Sequence, residues 1–259
     1  MKKSSLLFIA LGLFGVLSFL LLIIIPDASF TENFTFESML TLEVLLYIAL
    51  FIVGIYFKLQ EEGFNTKELS FIAIYGTFAA VSRIPFTGLP NIQPCSYLII
   101  CAGIIFGPLI GFVIGGNVAL ISNIFLGQGP WTLFQIFAWG MMGASGGLFY
   151  KISERNGVNY RPKKWLLILM GFIWGLLFGW TMNLWFWLKY TTPHTLLSFM
   201  TANINSFYFD LSHAISNAIF IAIFAYPTLN ILVRYRQRFE VNIIRSKPMV
   251  DSNRDIQTN

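Results

Sequence analysis

The chain has 259 residues, 56% of them hydrophobic, 17% aromatic and only 11% charged, against about 25% charged in a soluble domain. So much apolar surface cannot be hidden in a water-soluble core, and lipid is the solvent it fits. The net charge of +5 is topogenic by position, which makes a nucleic-acid partner unnecessary.

In chain order, eight apolar runs approach the roughly 20 residues that a spanning helix needs. They are 5–25, 39–57, 69–86, 95–106, 108–126, 132–150, 165–188 and 207–233. The first follows Lys2 and Lys3 but lacks a small-x-small cleavage site, so it reads as an uncleaved anchor. The fourth is short and ends at Gly107-Pro108. With the amino terminus inside, segments 1–4, 58–68, 151–164 and 234–259 are cytoplasmic and hold two, two, five and six cations, fifteen of the seventeen. Arg83 and Lys189 fall elsewhere, while the 26–38 loop carries Asp27, Glu32 and Glu37. This asymmetry predicts that both termini are cytoplasmic. Asn33-Phe34-Thr35 is then a sequon on the outer side.

Three outer loops cap the bundle: 86–95, 127–131 and 189–206. The second is an elbow of Gly127, Gln128, Gly129, Pro130 and Trp131 between two apolar runs. Its glycines permit backbone geometry denied to other residues, and Pro130 starts the next helix. Gln128 and Trp131 offer a donor, an acceptor and an indole to a ligand beneath.

Small residues recur every four positions at Gly107, Gly111, Gly115 and Ala119, ending in Asn123, and at Gly171, Gly175 and Gly179, ending in Asn183. Residues four apart share a helix face, so each stripe lets a neighbouring backbone approach closely. Gly143 and Gly147 repeat the pattern. Each closing asparagine is a candidate ligand donor. In the last run Asp210, His213 and Asn217 fall on one face near the outer end, where ionisable groups are expensive and mark function. They either pair among themselves or with Arg83, or line a substrate cavity; the two are compatible. Arg83 either snorkels or turns inward to meet Asp210 or an anionic ligand group. Trp131, Gln135 and Trp139 form another four-residue stripe, with Trp131 the natural interface anchor. Trp185 and Trp187 belong to an aromatic belt around Asn183, and Cys95 and Cys101, with no histidine nearby, read as small membrane residues.

The chain has no phosphate-binding glycine loop ending in Lys-Ser/Thr and no metalloprotease signature, so no energy source is visible in it. It reads as a non-enzyme without cofactor or metal. An enzyme competitor is the G-x-S-G of Gly143, Ala144, Ser145 and Gly146 with His213 as base. Their depths differ by more than about 10 Å, too far for a serine and its base.

Two stretches then carry a resemblance: "SRIPFTGLPNIQP" at 82–94 and "SNIFLGQGPWTLFQIFAWG" at 122–140. Residues 66–235 resemble the six-helix substrate-binding (S) component of energy-coupling factor (ECF) vitamin transporters, nearest a corrinoid (cobalamin-like) subgroup. The first stretch has Gln93 where that subgroup has a lysine, and the second has Leu133-Phe134 in place of a Pro-Trp pair. The resemblance implies an all-α integral membrane protein in three parts: two additional amino-terminal helices (1–65), the six-helix domain (66–235) and a polar cytoplasmic tail (236–259). It implies a vitamin-like ligand under the three outer loops, adding Asn91 and Gln93 to the candidates already named. It also implies a multi-pass cell-membrane subunit working with a transmembrane coupling protein and two ATPases, docked through small residues such as Ala73, Gly76, Thr77 and Ala80. A stand-alone facilitator is the alternative.

Overall fold

A computed structural model describes residues 66–156, 162–193 and 195–246 continuously, with scattered single positions before residue 66. Apart from those positions, the expected spans 5–25 and 39–57, the Asn33 sequon and the end of the tail lie outside the described residues. Within them the protein is all-helical: α1 (Thr66–Val81), a 3-10 turn (Ile84–Phe86), α2 (Cys95–Phe106), α3 (Pro108–Leu126), α4 (Trp131–Asn156), α5 (Lys164–Tyr190), α6 (Leu196–Asn205) and α7 (Phe207–Ser246). Four helical stretches are long and apolar enough to cross a membrane: Thr66–Phe86, Pro108–Leu126, Lys164–Tyr190 and Phe207–Arg238. The distribution of polarity is that of an integral membrane protein. Ile74, Ile124, Leu197 and Ile204 are exposed, whereas Ser96, Ser122, His213 and Asn217 are fully buried, the reverse of what water selects.

The short α2 is apolar all round because it is covered all round: ten of its twelve residues are buried. It touches α1, α3, α4, α5 and α7, with α3 packed between α1 and α4 and α5 between α4 and α7. Glycine makes this possible. A Cβ on Gly143 of α4 would stand 2.1 Å from the Gly111 carbonyl oxygen of α3, and one on Gly175 of α5 would stand 2.4 Å from the Ala214 Cα of α7. The glycine stripes are therefore backbone-to-backbone contacts. Gly107, at φ +92°, turns the chain between α2 and α3.

Three departures from expectation have local causes. The 189–206 segment contains α6, started by a reciprocal capping box in which Thr195 Oγ1 accepts from Ser198 N (3.1 Å) and Thr195 N donates to Ser198 Oγ (3.0 Å). Helix α7 runs on past 233, and through Pro227, to Ser246. Buried Ala225 and Leu229 hold it on both sides of the proline, and packing of that kind outweighs the lost backbone donor. Residue 236, expected to open the polar tail, is packed: Arg236 donates to the Ile105 carbonyl (3.0 Å) and the Tyr150 hydroxyl (3.1 Å), so it satisfies the end of α2.

Candidate functional site

The antiparallel order puts the 82–94 loop, the 127–130 elbow, α6 and the start of α7 at one end of the bundle, called the elbow end below. Helix α1 stops at Val81 and Pro85 stands in the 3-10 turn that follows. Arg83, between them, is 6% exposed and turns into the bundle. Its Nε donates to Gln93 Oε1 (2.8 Å), and its Nη1 donates to Ser122 Oγ and to Asn123 Oδ1 (3.4 Å). The guanidinium lies over the Trp139 ring, 4.5 Å from its centroid. Asn123 continues the network by donating to Thr132 Oγ1 (2.8 Å) and Gln135 Oε1 (2.7 Å). Five of the sequence candidates, Arg83, Asn123, Gln135 and Trp139, all buried, and the half-buried Gln93, thus form one group.

A second group lies across an aromatic layer. Trp139 stacks on Phe178 of α5 at 4.7 Å, and Phe178 meets His213 edge-on at 4.8 Å. Ser96 Oγ joins the two sides: it accepts from Trp139 Nε1 (3.3 Å) and sits 2.9 Å from His213 Nε2. One turn away on α7, Asp210 Oδ2 accepts from Asn183 Nδ2 (2.8 Å) and Ser206 Oγ (2.9 Å). Asn183 also reaches Asn203 Oδ1 at 3.2 Å. Asp210 lies against Gly179, where a Cβ would come within 2.3 Å of its carboxylate. The pairing of Asp210 with Arg83 or His213 that the sequence allowed is absent. Neutral partners hold Arg83 from α2's approach, α3 and α4, whereas Asp210 is held by α5 and the α6–α7 junction.

The remaining candidates are placed as follows. Asn91, in the left-handed region at φ 55°, donates to the Phe209 carbonyl (3.2 Å), and Ser212 Oγ donates to the Pro90 carbonyl (2.7 Å), so the 82–94 loop is tied to α7. Asn217 is fully buried and donates to the Gly171 carbonyl (3.3 Å). Gln128 is exposed; it donates to the Leu120 carbonyl of α3 (2.8 Å) and accepts from Thr132 Oγ1 of α4 (3.0 Å). Trp131 packs edge-on against Trp185 at 5.4 Å. Gln128 thus meets the Arg83 group only at its edge, through Thr132, which also accepts from Asn123, while Trp131 lies with Trp185. On α1, Ala73 and Thr77 face outward, but Gly76 and Ala80 are buried. Gly76 lies against Asn117 of α3, so the expected docking face is split in two.

Sequence reading missed Ser96, Ser122, Thr132, Asn203, Ser206 and Phe178. Ser96 had a signal, a hydroxyl inside an otherwise buried apolar run. Ser122, Thr132 and Ser206 had none, since serine and threonine commonly bond their own helix carbonyls. The G-x-S-G motif does not assemble a nucleophile. Ser145 donates to the Met142 carbonyl (2.7 Å), and His213 pairs with Ser96 instead.

Chemically, the elbow end offers a guanidinium, a carboxylate, several amides and a layered indole and phenyl pair inside an apolar bundle, a composition suited to holding a small polar aromatic molecule.

A family model described as the ECF-type riboflavin transporter, S component, matches residues 64–234. A UPF0397 protein of Aliivibrio fischeri is 24% identical over 183 residues, 67% of this chain and 94% of that protein. A UPF0397 protein of Vibrio atlanticus is 28% identical over 98 residues, 36% of this chain, and a third, of Aliivibrio salmonicida, is 23% identical over 117 residues, 42% of this chain. The match spans about half (53%) of the V. atlanticus protein and 63% of the A. salmonicida one. No solved structure matches significantly.

Proposed function

The chain belongs to the ECF-type riboflavin transporter S-component family, and from that membership we propose that it is the substrate-binding membrane subunit of an ECF importer. It takes a vitamin-like micronutrient from outside the cell at the elbow end. Delivery inward depends on a transmembrane coupling protein and two ATPases. The observation that carries this reading is the gathering of Arg83, Asn123, Gln135, Trp139, Asn183, Asp210 and His213 at one end of a bundle whose outer surface is apolar. Buried polar groups in a membrane span are costly and belong where a solute is handled.

In this reading the loop 82–94, the elbow and α6 roof the ligand, and the Trp139–Phe178 layer receives its ring. The family description names riboflavin; the motifs at 82–94 and 122–140 support a corrinoid as the second substrate reading. Titrating purified protein with riboflavin and with cobalamin separates them. For the transport role, proteoliposomes containing the chain, a coupling protein and both ATPases should accumulate radiolabelled vitamin only with internal ATP. Uptake by the chain alone, at the same rate and without ATP, would replace this reading with a facilitator.

A further inference from the structure

The elbow end buries two opposite charges that do not meet. Arginine keeps its proton in proteins, and a buried charge without a counter-ion is strongly destabilising. Arg83 has only neutral partners, the oxygens of Gln93, Ser122 and Asn123 and the face of Trp139. Its bonds use Nε and Nη1, so Nη2 is the open edge of the guanidinium. Asp210 likewise has only the amide of Asn183 and the hydroxyl of Ser206, and both bonds fall on Oδ2. Gly179 is what leaves room for the carboxylate. Arg83 lies over Trp139, Trp139 stacks on Phe178, and the next residue in the chain, Gly179, lies against the Asp210 carboxylate.

A second observation lies on the same face of α7. His213 Nδ1 and Asn217 Oδ1 are buried and find no hydrogen-bond partner in the protein among the described residues. Native structures seldom leave buried polar atoms unpaired, so these two call for an explanation. Trp139 Nε1 can only donate, so Ser96 Oγ accepts there and has its own proton for His213 Nε2. In that arrangement a neutral His213 carries its proton on Nδ1, and the α7 face then offers a donor beside the acceptor of Asn217.

We propose that the ligand of this site is amphoteric: an anionic oxygen group meets Arg83, a cationic nitrogen meets Asp210, and an aromatic body lies at the Trp139–Phe178 layer. The proposal rests on the elbow end being the ligand site, and it separates this chain from the family description, since riboflavin carries neither charge near neutral pH. Each buried charge gains the counter-ion the protein itself withholds.

The test uses the full chain in nanodiscs and one aromatic skeleton in four charge states: indole, tryptamine, indole-3-propionate and tryptophan, with riboflavin as a fifth probe, read by calorimetry. Tryptophan should bind at least tenfold tighter than indole or riboflavin, with the singly charged probes between. Arg83→Gln should erase the advantage of the carboxylate and keep that of the amine; Asp210→Asn should do the reverse; Arg83→Lys should restore the carboxylate preference. Riboflavin or indole binding as tightly as tryptophan overturns the proposal, as does no binding by any of the four indoles. Equal loss of all probes in both variants also overturns it, because a structural role acts without regard to ligand charge. Failure of ATP-driven uptake with this charge preference intact would sink the transport reading and leave the ligand assignment standing.

Discussion

Asn123 shows how one amide organises the site. Its carbonyl takes a bond from Arg83 and its amide nitrogen supplies Thr132 and Gln135, so a single side chain joins the 82–94 loop, α3 and α4. Asn123→Ala should therefore weaken binding of any ligand that titrates the purified protein at least tenfold, about 1.4 kcal/mol. Unchanged affinity in both Asn123→Ala and Asp210→Ala would remove these residues from the pocket. Ser96 predicts a different readout. Its alanine variant strips the partner from Trp139 Nε1 and from His213 Nε2, both buried. Leaving buried polar atoms unsatisfied costs about 1–3 kcal/mol each, so the variant should melt at a clearly lower temperature in detergent even without ligand. An unaltered melting temperature would mean that Ser96 links nothing.

Among the helices, close approach matters more than side-chain bulk. The α3–α4 and α5–α7 contacts put backbone against backbone at Gly111, Gly143 and Gly175, and no side chain can be accommodated there by rotating a neighbour. Gly143→Leu should shift the packing of α4 and lose monodisperse protein on size-exclusion chromatography, well beyond the 1–3 kcal/mol usual for overpacking. Gly88, with nothing near its would-be Cβ, is the control: Gly88→Ala should behave as wild type. Helix α6 illustrates the opposite case, a short element held by its ends. Besides the capping box, Trp187 Nε1 donates to Ser198 Oγ (2.8 Å) and the Trp187 ring meets Phe199 at 5.6 Å. Anchored in this way to α5, α6 supplies Asn203 to the Asp210 group.

For the whole molecule, the charge bias sets a direction that the bundle obeys internally. Residues 151–156, Lys163, Lys164 and the arginines at 234, 236 and 238 fall at the end opposite Arg83 and the elbow. Orientation in the cell is a separate matter and is open to direct measurement. In a cysteine-free background, a single cysteine at Gly88 should react with a membrane-impermeant maleimide in intact cells, and one at Asn253 only after permeabilisation. The reverse pattern would invert the proposed import route. The transport prediction belongs to this scale too, since it rests on the family match over residues 64–234 as a whole.

The sequence by itself determined the solvent, the order of the long helices described from 66 onward, and which end gathers Arg83, Asn123 and Asp210, whereas the short α6 read as loop. These follow from local quantities: length of apolar runs, four-residue periodicity, cation counts and glycine–proline punctuation. It also marked Arg83, Asn123, Gln135, Trp139 and Asp210, because a polar group in an apolar run stands out without knowing its neighbours. Only the tertiary structure decided who pairs with whom. Arg83 and Asp210 were natural partners by charge, yet residues from separate elements, Ser122 and Gln93 on one side and Asn183 and Ser206 on the other, bond them instead. Such partners lie up to 40 positions apart in the chain, and serines whose local bonds could all be made within their own helix carry no advance sign of a second role. The same holds for Pro227, which breaks a helix by local rules and is carried through one by packing. Pairing is a property of contacts between helices, and a one-dimensional pattern contains no record of the rotation at which they meet.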